Sequence, residues 1–417
     1  MERTYFGTDG VRGIVGEDLT PELVERLGKA ATLWSGGGRV FVGRDTRVSG
    51  PELEEAFARG VVSAGGHAVL AGVLPTPAVA LLALDLGVVI SASHNPPEYN
   101  GVKFFDRAGR KLSDEAEAEI EALLDAPAAA EPGSVARVGV AADSYVDHVL
   151  ERFGSDLSGL RIGVDCANGA YSGLAPEAFR RLGAEVVAIG DDGDGSLINV
   201  GLGATDLSAL QRTVVSERLD LGVAFDGDGD RMLAVDERGA AVDGDQIVAV
   251  LALHLGVGLV AVTVMANLGL HKLMEEHEIS VVTTDVGDRY VLEALRRERG
   301  LLGGEESGHI IYLEGHVTGD GLVAALLLCR ALEGRTLSEA AAVLEKYPQA
   351  RVNVPVRDKR IPPDLRERIE ALSGEGRVLV RPSGTEPVVR VLAEAETAQA
   401  AEELSGKIAA LVRRELG

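Results

Sequence analysis

Three stretches of this chain repeat one local order, and that repetition constrains the fold more than any other feature. Each opens with a short β-rich run, passes a polar glycine-containing loop into a helix-like segment, and ends in a second β-rich run: RVFVGRDTR to PELEEAFARGVVSAGGHAVLAG, LRIGVDCANG to APEAFRRLGAEVVAIG, and LVAVTVMANLG to HKLMEEHEISVVTTD. In the first copy Leu53, Ala56, Phe57 and Val61 share one helix face, while VFVG and IGVD read as mostly buried strands of parallel or mixed sheets. A chain of 417 residues exceeds one ordinary core. At roughly 100 to 200 residues per domain it makes three or four.

The stretch DAPAAAEPGS (Asp125 to Ser134) follows an acidic helical segment that Ser113 or Asp114 can cap, and it reads as a linker or surface crossing. From about Pro348 the pattern becomes a helix, the strand pair GRVLV and PVVRVLAEA, and a long terminal helix, the mark of a smaller α+β domain. The expected fold class is α/β: three similar mixed-sheet domains at 1–145, 146–245 and 246–347, and a C-terminal α+β domain at 348–417.

A formal net charge of -24 argues against nucleic acid as partner, because phosphates need a basic face. An anionic ligand would need arginines concentrated locally, or a metal. Cys166 and Cys329 are the only cysteines, which rules out a disulfide framework and fits a reducing compartment. No run approaches a membrane span and MERTYFGTDG has no apolar core of a leader, so the expected location is cytoplasmic.

The apolar run Gly87 to Ile90 stops at SASHNPP, where proline cannot continue a strand, so Ser93 sits on a turn at a strand end. In α/β proteins such turns meet ligands. A serine there needs a base, a metal or a special substrate to act as nucleophile. FDGDGDRM follows another apolar run, and Asp226, Asp228 and Asp230 can converge on one hard cation such as Mg²⁺. The spacing imitates an EF-hand, even to Glu237 at the twelfth position, but Arg231 stands where that loop requires glycine. A solvated acidic turn is the plainer reading, disfavoured because three carboxylates so close repel one another. Arg231 suits either a phosphate or the same aspartates.

VRPSGTEPVVRV places Arg381, Ser383, Gly384 and Thr385 in a tight turn, either an anion nest with a guanidinium fork or a plain hairpin. GGEESGHI offers Glu305, Ser307 and His309 at alternate positions, natural partners for sugar hydroxyls. FGTDGVRG (Thr8, Arg12) and GRDTRVSG (Arg44, Arg47, Ser49) add hydroxyls and guanidiniums, or are loops fixed by ordinary arginine pairs. The Gly-x-Gly pieces lack a dinucleotide fingerprint, so no NAD is expected.

Taken together and in order, FGTDGVRG, ISASHNP, NGVKFF, DGDGDR, GEESGHI and RPSGTEP resemble the α-D-phosphohexomutase superfamily across essentially the whole chain. The resemblance implies four domains around a central cleft, with Ser93 carried as a phosphoserine that gives its phosphoryl to a hexose phosphate and recovers one from the bisphosphate. It further implies Mg²⁺ on Asp226, Asp228, Asp230 and the Ser93 phosphate, with Arg231 beside that phosphate. Lys103 and Arg12 would stabilise charge or assist proton transfer, with His94 as a further candidate. Arg381, Ser383, Gly384 and Thr385 would grip the second phosphate, and Glu305 and Ser307 the ring hydroxyls. A hexosamine bisphosphate is the implied activator and a homodimer the candidate assembly.

FGTDG, SASHNP and KFF resemble the branch that interconverts glucosamine 6-phosphate and glucosamine 1-phosphate, whereas Tyr99 in PPEYNG leans toward the mannose and glucose branches. Glu306 stands where glutamine is commoner, and its carboxylate either favours an amino sugar's ammonium or faces solvent. A non-catalytic sugar-phosphate binder and a phosphatase are the competing readings.

Overall fold

The computed structural model describes residues 4–7, 9–374, 376–383 and 386–417. Among them the strands form four sheets. In the seven-stranded first sheet, Leu86–Ile90, Arg39–Arg44, His67–Val73 and Ser134–Arg137 run parallel, and Tyr99–Asp106, Gly10–Ile14 and Phe6–Gly7 extend it antiparallel. The five-stranded second sheet follows the same plan: Leu221–Phe225, Arg161–Asp165 and Glu185–Ile189 are parallel, with Met232–Asp236 and Ala241–Val242 antiparallel on one side. In the third, Leu259–Thr263 is parallel to Leu302–Gly304, which pairs antiparallel with Ile310–Tyr312, while Ser280–Thr284 takes the edge. The fourth is wholly antiparallel, in the order Gln349–Pro355, Val388–Glu394, Arg377–Pro382.

The chain packs as two compact units, one of residues up to 263 together with 282–342, the other of 264–281 and 343–417. The helix Leu268–Glu276, expected with the third repeat, belongs to the second unit. Its cap Asn267 receives the Tyr347 N–H at 2.9 Å and donates to the Tyr347 carbonyl at 3.0 Å. The expected boundaries at 145/146 and 245/246 fall inside the continuous helices Ala141–Phe153 and Gly244–Leu255.

Strand composition explains the layering. LGVVI (Leu86–Ile90) and LGVAF (Leu221–Phe225) are buried at every position, as strands covered on both faces must be. Both end abruptly in polar loops, 91–98 and 226–231, which puts Ser93 and the three aspartates at the C-terminal ends of parallel strands. One covering layer is the helix pair Pro21–Trp34 and Gly50–Ser63. The first starts on Thr20, whose hydroxyl accepts the Leu23 N–H, with proline in its first turn.

These two helices cross at glycine. A Cβ on Gly28 would stand 2.4 Å from the Phe57 carbonyl oxygen, and one on Gly60 would stand 2.0 Å from that of Glu25. In an isolated helix glycine to alanine stabilises by about 1 kcal/mol, but forcing backbones apart in a packed layer costs about 1–3 kcal/mol. Gly60→Ala is therefore expected to lower the urea midpoint of unfolding. A raised midpoint would show that the helices part freely.

Candidate active site

Ser93 is buried in the loop after Leu86–Ile90 and adopts a left-handed φ of 52°. Its N–H donates to the Ser91 hydroxyl at 2.8 Å, and Ser91 donates to buried Asp45 at 2.6 Å. The Ser93 hydroxyl donates to Asp226 Oδ2 at 2.5 Å and lies 3.2 Å from His94 Nδ1. A serine of the first sheet thus meets an aspartate of the second.

The loop 226–231 brings Asp226, Asp228 and Asp230 together, all buried, with one oxygen of each within 4.8 Å of the others. Asp226 Oδ1 accepts the N–H groups of Gly229 and Arg231 at 3.1 and 3.2 Å. Asp228 Oδ2 accepts from Thr76 and from Lys103 Nζ, both at 2.7 Å. Lys103 also reaches Asp230 at 3.2 Å and Asp9 at 3.3 Å. Asp9 in turn pairs with Arg12 and, at 2.7 Å, with Lys111, whose ammonium bridges to Asp288 at 2.8 Å. From the third sheet, His309 places Nε2 3.1 Å from Asp230 and Nδ1 2.7 Å from Glu305.

This crowding fixes the charge states. Burial, then Asp230 and Asp228, push the Asp226 carboxyl up to about 7. Burial also opposes charge on Asp230, but Lys103 and His309 overcome it and hold that carboxyl well below its usual range. Burial would discharge Lys103 as well, yet Asp228, Asp230 and Asp9 keep its ammonium well above its ordinary value. Burial and Arg231 pull the His309 imidazole down, and Asp230 with Asp288 more than offset them, lifting it to about 10. As an imidazolium it donates at Nε2, so the Arg231 Nε 3.3 Å away is a like-charge approach. His94 differs. Burial, then Arg231 and Arg12, lower it to about 4, leaving a neutral ring beside the Ser93 hydroxyl.

The aspartates suit a cation. Oxygen donors are what a hard divalent ion takes, and Asp228 Oδ1 is buried without a hydrogen-bond partner. The raised Asp226 carboxyl reports the same surplus of negative charge. A divalent ion held by Asp226, Asp228 and Asp230 would neutralise charge on phosphoryl oxygens next to Ser93.

Contacts therefore link Ser93, His94, Lys103, Arg12, Asp226, Asp228, Asp230, Arg231 and Glu305 within one unit. Glu305 turns both oxygens inward, one to His309 and one to the Gly287 N–H at 3.0 Å. Ser307 is exposed and Glu306 half-buried on the same turn. Arg381 and Ser383 lie in the second unit, in and just after the strand Arg377–Pro382, while Gly384 and Thr385, like Thr8, lie outside the described residues. Ser383 is buried, its carbonyl accepts from Lys359 Nζ at 2.9 Å, and with Arg357, Lys359, Arg360 and Arg366 it lines a cavity of about 1230 Å³. Sequence reading missed Asp9, Thr76, Lys111 and Asp288. Only Asp9, inside FGTDGVRG, stood in a motif that could have flagged it.

Models of the phosphoglucomutase/phosphomannomutase family match the chain in four parts. Alpha/beta/alpha domain I matches residues 3–131, domain II 143–239, domain III 243–347 and the C-terminal domain 332–411. A phosphoglucosamine mutase of Pelotomaculum thermopropionicum is 50% identical, with 98% of each chain covered. One of Bacillus subtilis is 45% identical, with 99% of each covered. A solved phosphoglucomutase/phosphomannomutase family protein of Burkholderia thailandensis has a TM-score of 0.84 at 26% identity, covering 98% of this chain and 96% of that one.

A divalent ion added to the metal-free protein is expected to raise its unfolding temperature, since a ligand at a hundredfold its Kd adds about 2.7 kcal/mol. Asp228→Asn should remove most of that rise. An unaltered protein that ignores the ion would exclude a cation at these aspartates.

Proposed function

The chain belongs to the phosphoglucomutase/phosphomannomutase family, and from that premise we propose that it interconverts glucosamine 6-phosphate and glucosamine 1-phosphate, with Ser93 carrying the migrating phosphoryl group. It is an isomerase of the phosphohexomutase class. The contact that carries the assignment of Ser93 is its hydroxyl at 2.5 Å from Asp226, among the carboxylates suited to a cation. The glucosamine preference rests on relatives at 45 and 50% identity that bear that name.

In the proposed cycle, phosphoserine 93 gives its phosphoryl to a free hydroxyl of the sugar phosphate. The bond from phosphorus to Ser93 Oγ breaks, the bond to the sugar oxygen forms, and the sugar's proton ends on the serine. The bisphosphate then turns over and returns its other phosphoryl to Ser93, so phosphate is conserved. Lys103, held charged by three carboxylates, acts electrostatically. His94, with Nδ1 3.2 Å from Oγ, is the neighbour proposed to take and return the proton. Arg12 and Arg231 add positive charge at the same place. Mg²⁺ is the proposed ion and a hexosamine bisphosphate the proposed activator.

Arg381 with residues 383–385 is proposed to hold the non-migrating phosphate, supported by Arg357, Lys359, Arg360 and Arg366 in the cavity beside Ser383. Glu305 and Ser307 are proposed for the ring hydroxyls, Glu305 in part through His309. The four-domain division, a homodimer and a cytoplasmic location complete the reading. Two buried free thiols support the last. No described helix is long and apolar enough to cross a membrane.

Tyr99, which opens the strand after the serine loop, supports glucose or mannose phosphate as the second reading. Purified protein primed with hexose bisphosphate is expected to turn over glucosamine 1-phosphate faster than glucose or mannose 1-phosphate, and Ser93→Ala is expected to abolish turnover of all three. Faster turnover of glucose or mannose phosphate would reassign the substrate, and an active Ser93→Ala would remove the relay. Glu306→Gln should narrow the preference for glucosamine over glucose phosphate, and an unmoved ratio would refute a role for that carboxylate in selectivity.

A further inference from the structure

Ser93 occupies a backbone region that costs a serine free energy and persists only where neighbours impose it. Two side chains from outside its loop do so. Arg47, fully buried, donates through Nη2 to the carbonyls of Ser93 at 3.0 Å and Asn95 at 2.7 Å. Through Nη1 it reaches Pro96 at 2.5 Å and Tyr99 at 2.9 Å, and Asp45 neutralises it at 2.9 Å. Asn199, on the loop after Glu185–Ile189, donates through Nδ2 to the same two carbonyls, at 2.9 Å to Ser93 and 3.1 Å to Asn95.

Asn199 differs from Arg47 in belonging to the second sheet's domain, the one that supplies the aspartates. Its own N–H is tied to the Ala167 carbonyl at 2.9 Å, and the neighbouring Asn168 carbonyl receives the Thr46 hydroxyl at 2.5 Å. Gly227, directly after Asp226, packs under it: a Cβ there would lie 2.6 Å from the Ser93 carbonyl oxygen and 2.9 Å from Asn199 Nδ2. The amide is thus wedged where the serine loop passes the aspartate loop. Its remaining atom, Oδ1, is buried with no hydrogen-bond partner among the described residues.

We infer that Asn199, acting with Arg47, is a positioning residue for phosphoryl transfer. By clamping the carbonyls of Ser93 and Asn95 to the aspartate-bearing domain it sets the separation and angle between the Ser93 hydroxyl and Asp226. The inference rests on Ser93 as the relay. The amide NH2 offers its two hydrogens to two carbonyls at once; aspartate of the same shape presents oxygens to both.

The test compares Asn199→Ala and Asn199→Asp with Ser93→Ala, all assayed on hexose 1-phosphate with added bisphosphate. Active Ser93→Ala removes the relay, and with it the premise. With Ser93→Ala inactive, Asn199→Ala is expected to lose about 10²-fold in kcat at unchanged KM and unchanged circular dichroism, the loss typical of a misplaced reacting group. Asn199→Asp is expected to lose more. Wild-type kcat in Asn199→Ala, a rise in KM in place of the fall in kcat, or a fall that merely tracks lost folded protein overturns the clamp. Should the alanine variant not fold, the aspartate variant decides by the same readings.

Discussion

Three carboxylates buried within one another's reach are the constraint around which the first unit is arranged. Left alone, Asp226, Asp228 and Asp230 would repel each other in a medium that screens poorly. The fold answers with Lys103 from the first sheet, His309 from the third and two backbone N–H groups from the aspartates' own loop. Those answers come from one strand of the first sheet and from loops beside the second and third. A chain with formal charge -24 still assembles a cationic rim of Arg12, Lys103, Lys111 and Arg231 here. Placement, and not net charge, makes the site receptive to phosphate.

The balance is deliberately uneven. Asp226 is pushed toward its protonated form and receives the Ser93 hydroxyl, whereas Asp230 is held ionised by Lys103 and His309. Asp228 keeps one oxygen buried and unpartnered. Such a site is poised for a cation and for a group that changes charge. In the second unit Arg357, Lys359, Arg360 and Arg366 line a cavity beside Ser383, and the antiparallel sheet there packs on a core that includes Val354, Ile369, Val389, Val391 and Ile408.

Much of this was legible in local pattern. The fully apolar runs before SASHNP and FDGDGDR did announce buried strands ending at polar loops, and the strand pair around RPSGTEP forms as its composition implies. Alternation of aspartate with glycine foretold convergence, because glycine lets the loop turn without side chains in the way. Other features left no local trace. Asp9 and Lys111 stand 102 positions apart, and Asn199 lies in a stretch that reads as ordinary loop. The helix Leu268–Glu276 carries an ordinary amphipathic face, which says that it packs but not against what.

The sequence by itself determined the strand and helix order, the loops that bear reactive groups and the family, since these depend on spacing along the chain. Tertiary structure alone decided which charges neutralise which. That Glu305 turns to His309, that Lys103 serves three carboxylates and that His94 stays neutral all depend on distances of a few ångströms between remote segments. Coulombic and hydrogen-bond energies in a buried site vary steeply over that range, and no pattern along a chain encodes them.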